Sequence, residues 1–82
     1  QVRRLGPGDR ALARAAFALL AEVFETPATP LGDAYLDRLL ARPDFWAGVA
    51  LAGAMVVGCL TAHVLPMTHG ETAELCVYDV AV

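Results

Sequence analysis

Apolar residues recur at helical spacing in the first half of the chain and in near-continuous runs in the second, and this change of period sets the expected order of elements. Val2-Arg3-Arg4-Leu5 reads as a short strand, ended by Gly6-Pro7-Gly8, which continues neither a ladder nor a helix. Asp9 is placed to cap a helix in which Leu12, Ala16, Leu19, Leu20, Val23 and Phe24 form one apolar stripe, with Arg10, Arg14 and Glu22 away from it. Thr26-Pro27 stops that helix, and residues 26–32, with two prolines and two threonines, read as a loop. Asp33 is placed to cap a second helix through Leu36, Leu39 and Leu40, ended by Pro43. Residues 45–52 and 54–65 read as strands joined at Gly53, residues 67–72 as a turn after Pro66, and residues 73–82 as a fourth strand. The order β-α-α-β-β-β is that of an α+β domain whose last three strands form an antiparallel meander.

Composition sharpens this picture in one respect. With 57% hydrophobic residues, the chain exceeds the roughly 45–50% usual for a soluble domain. A domain of 82 residues buries only about 60% of the surface its unfolded form exposes. The surplus needs cover, so a homodimer or higher oligomer is expected. The chain also closes on Glu74-Leu75-Cys76-Val77-Tyr78-Asp79-Val80-Ala81-Val82, a strand-like run with no turn or polar tail after it, as expected for part of a larger domain.

Six arginines and no lysine face nine acidic residues, a net charge of −3. That balance argues against nucleic acid and suits a cationic small molecule such as a polyamine or amino sugar, although mild acidity is also an ordinary surface property. Gln1-Val2-Arg3-Arg4-Leu5-Gly6-Pro7 breaks before a secretory core could form, and the longest apolar stretch, residues 49–60, is short and glycine-dotted. A cytoplasmic protein without membrane association is therefore expected. Cys59 and Cys76 sit inside apolar runs and read as buried thiols.

Asp79 is the chemical anomaly. Strict alternation puts Glu74, Cys76, Tyr78, Val80 and Val82 on one face of the last strand and Leu75, Val77, Asp79 and Ala81 on the other. A carboxylate among apolar strand residues is costly unless solvated, paired or hydrogen-bonded, and such groups are enriched where amines are bound or protons moved. The competing reading is an edge aspartate facing water. Tyr78 reads either as an acid or donor or as a core aromatic, Phe45 and Trp46 as core, and His63 and His69 as ordinary histidines. No spacing marks a metal site, an activated nucleophile or a Gly-rich phosphate cradle.

Val56-Val57-Gly58, leading through His63-Val64-Leu65-Pro66 to the final Glu74-to-Val82 run, resembles the aminoglycoside 3-N-acetyltransferases of the GNAT superfamily. Arg4-Leu5-Gly6-Pro7, the two-helix segment, and Leu39-Leu40 followed by Phe45 are similar to the same enzymes. The resemblance implies the N-terminal half of a GNAT fold, with a twisted mixed sheet, and direct transfer of acetyl from acetyl-CoA to an aminoglycoside amine. It assigns Asp79 as the amine contact and general base, with Tyr78 and Glu74 as alternates. It gives Val80, Ala81 and Val82 to the cofactor, the Val80 amide polarising the thioester carbonyl and the Val82 backbone pairing with the pantetheine arm. The family's pyrophosphate-gripping loop and helix are absent from these residues, so weak acetyl-CoA binding by the chain alone is implied. The turn at Ala52-Gly53-Ala54 departs from the family, where it is usually polar. Two alternatives stay open: a non-catalytic, self-associating module, and a GNAT acting on a polyamine or protein amine.

Overall fold

The computed structural model describes residues 1–27 and 29–82; Ala28, within the expected loop, lies outside the described residues. The elements are β1 (Val2–Arg4), α1 (Arg10–Val23), α2 (Asp33–Ala41), β2 (Phe45–Ala52), β3 (Met55–Pro66) and β4 (Ala73–Ala81). The four strands form one sheet in the order β1-β2-β3-β4. Every neighbouring pair is antiparallel, which corrects the mixed sheet that the resemblance implied. For two of the three pairs the reason is connectivity: short turns link β2, β3 and β4, and such turns admit only antiparallel neighbours. Gly53, at φ 61°, supplies the left-handed residue of the first turn.

The helices cover one face of the sheet, α1 above β3 and β4 and α2 above β2. Ala13, Ala16 and Leu20 are the buried residues of α1, at spacings that trace one stripe. Small residues there let the helix settle close to the sheet, near enough for the Cys59 Sγ to donate to the Ala16 carbonyl at 3.3 Å. Of the expected stripe, Ala16 and Leu20 are buried and Leu12 and Leu19 pack against the core, but Val23 and Phe24 lie at the helix end and are half exposed. There Glu25, at φ 53°, turns the chain, and the Thr26 N–H donates back to the Ala21 carbonyl at 2.9 Å. Leu36 of α2 and Val49 of β2 are the largest fully buried side chains and mark the centre of the core.

Both expected caps differ in detail. Asp9 stands before α1, but its carboxylate accepts from the Gly6 N–H and from Arg3, each at 2.8 Å, and so closes the β1–α1 turn instead of the helix. Asp33 is the first residue of α2, with Gly32 in the capping position. Its charge sits at the positive end of the helix and receives Arg10 and Arg14 from α1. No helix among the described residues is long and apolar enough to cross a membrane.

Candidate functional site

Register decides what β4 presents. Residues opposite each other in an antiparallel pair share a face, and Phe45, Ala47 and Val49 on the helix side of β2 stand opposite His63, Thr61 and Cys59. Along β4, Ala81 pairs with Cys59 and Asp79 with Thr61, but Val77 then pairs with Ala62 and Cys76 with His63. Tyr78 is the extra residue, a β-bulge. It reverses the parity of the strand, so Cys76 and Asp79 both belong to the helix side. This corrects the strict alternation, which had put them on opposite faces. The other face carries Leu75, Val77 and Val80, each more than half exposed.

Asp79 borders an open-mouthed cavity of about 600 Å³ lined by α1, the segment that follows it, α2 and β4. Phe17 and Leu20 of α1, Phe24, Pro27, Pro30 and Leu31 beyond it, and Leu36 of α2 make most of the wall apolar. Among the described lining residues only Asp79 and Arg14 carry charge. The Arg14 guanidinium is already engaged, donating to the Asp33 carboxylate and, at 2.7 Å, to the Leu31 carbonyl. Asp79 is thus the uncompensated charge in an apolar recess, an arrangement that favours a cation with an apolar or ring-like body.

One carboxylate oxygen of Asp79, Oδ2, accepts from the Thr61 hydroxyl at 3.3 Å. Thr61 is only 6% exposed and is the one buried polar residue among those described. Cys59, the next helix-side residue of β3, has its thiol pushed up from the ordinary value, first by burial and then by the negative charge of Asp79. It is a neutral neighbour at physiological pH.

The remaining candidates of β4 are dispersed. Tyr78 is 77% exposed, which excludes the core-aromatic reading, and its ring stands edge-on to His63 with centroids 5.8 Å apart. His63 in turn meets Phe45 edge-on at 5.4 Å. Glu74 lies opposite Leu65 at the far end of the strand, exposed, and does not border the cavity. Val80 and Val82 expose their side chains while Ala81 is buried. The outer edge of β4 has no strand neighbour among the described residues. Of the expected core aromatics, Phe45 is buried, whereas Trp46 is half-buried with the Arg4 guanidinium 3.5 Å from its ring centroid. Cys59 is buried and Cys76 half-buried, both free.

A second recess, about 450 Å³, lies between α2 and the start of β2 and is bordered by Tyr35, Arg38, Arg42, Asp44 and His63. Arg42 and Asp44 are paired there through two hydrogen bonds at 2.9 and 2.8 Å, and Arg42 holds the Asp44 carboxyl below its ordinary value. Sequence reasoning missed Thr61, Phe17 and the role of Arg14. A threonine in an apolar strand is an ordinary β-former, and only cross-strand register reveals its carboxylate partner.

Neither a family model nor a curated protein matches the chain. Solved structures do. An aminoglycoside acetyltransferase, meta-AAC0020, from an uncultured soil metagenomic sample superposes with a TM-score of 0.91 at 31% identity, in its complex with trehalose and again in its complex with sisomicin. A second aminoglycoside acetyltransferase, HMB0005, also from an uncultured soil metagenomic sample, gives a TM-score of 0.89 at 36% identity. Each match covers 100% of this chain but 55–57% of the relative, so the chain spans a little over half their length. Over all its residues, then, this chain is similar in fold and in sequence to part of the aminoglycoside acetyltransferases.

Proposed function

We propose that these residues form the amine-accepting part of a GNAT-type N-acetyltransferase that modifies an aminoglycoside. The observation that carries the proposal is the Asp79 carboxylate, set by a β-bulge at the border of a largely apolar cavity of about 600 Å³. Two further facts support it. The relatives are aminoglycoside acetyltransferases, and one of them is in complex with sisomicin.

Sisomicin-like acceptors are polycationic amino sugars, and a recess whose one unpaired charge is acidic attracts them while its apolar wall receives the ring faces. In the proposed reaction Asp79 takes the proton of one acceptor amine. The neutral amine nitrogen would then bond to the acetyl carbon as the carbon–sulfur bond of the donor breaks, and the departing thiolate would take up the proton that the new amide nitrogen gives up. Acetyl-CoA, when bound, supplies the thioester. The open outer edge of β4 fits an extended pantetheine arm, with main-chain groups of Val80, Ala81 and Val82 holding it and the Val80 N–H polarising the carbonyl. Burial of Ala81 leaves that residue only its backbone to contribute.

The test uses a protein of the relatives' full length that carries these 82 residues. Asp79→Asn is the appropriate variant, because Asp79→Ala would also leave the buried Thr61 hydroxyl without its partner. Asp79→Asn is expected to lower kcat for sisomicin acetylation by roughly 10²–10⁴-fold, the usual contribution of a positioned base. Wild-type turnover in that variant would remove Asp79 from the chemistry, and the alternates Tyr78 and Glu74 would then be tested as Tyr78→Phe and Glu74→Gln.

A further inference from the structure

We propose that Thr61 is a positioning residue for the acceptor chemistry, holding Oδ2 of Asp79 and thereby leaving Oδ1 free for the amine at the cavity. The inference rests on the reading of Asp79 as proton acceptor. Its own basis is separate and geometrical. Thr61 and Asp79 are directly opposed across β3 and β4, at the last matched pair before the bulge at Tyr78. The hydroxyl lies 3.3 Å from Oδ2, and it makes no other side-chain hydrogen bond among the described residues. Oδ1 accepts no hydrogen bond there from any described residue, although the residue borders the cavity.

Two physical features make Thr61 suited to this task. A β-branched side chain has a restricted χ1, so a buried threonine presents its hydroxyl in a narrow range of directions and fixes the carboxylate plane opposite it. A hydroxyl can also donate to the carbonyl oxygen of a carboxylic acid as well as to a carboxylate. It donates to Oδ2 before the reaction and, once Oδ1 has taken the proton, to the same Oδ2 as the carbonyl oxygen of the acid. Neither state of Asp79 therefore strands the buried hydroxyl. The neighbouring Cys59 does not duplicate this role, because its Sγ is committed to the Ala16 carbonyl at 3.3 Å.

The experiment compares Thr61→Ser with Thr61→Ala in the full-length protein. Both lack the methyl group, so their difference isolates the hydroxyl. With sisomicin as acceptor, Thr61→Ala is expected to lose about tenfold in kcat with KM within about twofold, the scale of one hydrogen bond to a charged group, whereas Thr61→Ser keeps kcat within about threefold of wild type. Circular dichroism establishes that both variants are equally folded; should Thr61→Ala fail to fold, Thr61→Val, which preserves the shape, takes its place. Equal kcat for the serine and alanine variants, with Asp79→Asn strongly impaired, would overturn the role of Thr61 while leaving that of Asp79. Full turnover in Asp79→Asn would overturn both.

Discussion

The two faces of this sheet are made of similar residues and have opposite fates. On the helix side, Phe45, Ala47, Val49, Cys59 and Ala81 are buried beneath α1 and α2, and the same face holds Thr61 and Asp79. On the other side Leu60, Leu75, Val77 and Val80 stand between 37% and 57% exposed, with no covering element among the described residues. Apolar content alone does not make a core. What distinguishes the faces is the presence of two amphipathic helices, and the burial they provide is what makes a polar pair such as Thr61 and Asp79 consequential.

The contrast can be broken most directly at its centre. Leu36→Ala removes a fully buried side chain beneath the cavity and is expected to cost about 2–5 kcal/mol by urea denaturation. The matching change on the open face, Val77→Thr, is expected to stay within about 0.5 kcal/mol. Similar losses at the two positions would mean that the open face is covered in solution.

A smaller effect tests how the helices are tied together. Arg14→Gln removes the pair with Asp33, and the pair is exposed, so the cost is expected to be about 0–1 kcal/mol and to shrink as salt is raised. A loss that is indifferent to ionic strength would assign Arg14 a packing role at the cavity wall instead.

The smallest signal concerns the thiols. Cys59 lies on the covered face and its pKa is raised, so in the native protein it should react with a thiol reagent far more slowly than the half-buried Cys76. The sign for stability follows from the same shift. The folded state holds the Cys59 proton more tightly than the unfolded chain, so this contribution is complete below the ordinary thiol value of 9.0 and is lost as pH rises through the folded value. Equal reaction of both thiols under native conditions would show that α1 does not seal this part of the sheet.

Much of the scaffold was legible in the chain. Gly6-Pro7-Gly8, Thr26-Pro27, Pro43 and Gly53 punctuate it where backbone chemistry leaves few options, and helical and strand spacing between them named all six elements in order. The stripe of α1 was less secure. Ala13, which stands outside the expected stripe, is fully buried, while the bulkier Val23 and Phe24 lie half exposed at the helix end. Asp79 was conspicuous as a carboxylate in an apolar strand, but its surroundings were not legible at all.

Sequence by itself determined the order of elements, the turn positions and the single odd charge of the last strand, because those follow from local backbone preference and short-range periodicity. Only the tertiary structure decided which way that charge faces. One unpaired residue, Tyr78, turns β4 over, and an insertion of one in an unbroken apolar run leaves no local trace, since either register satisfies the strand equally well. The choice belongs to the neighbours: Thr61 across the ladder and the helices above it.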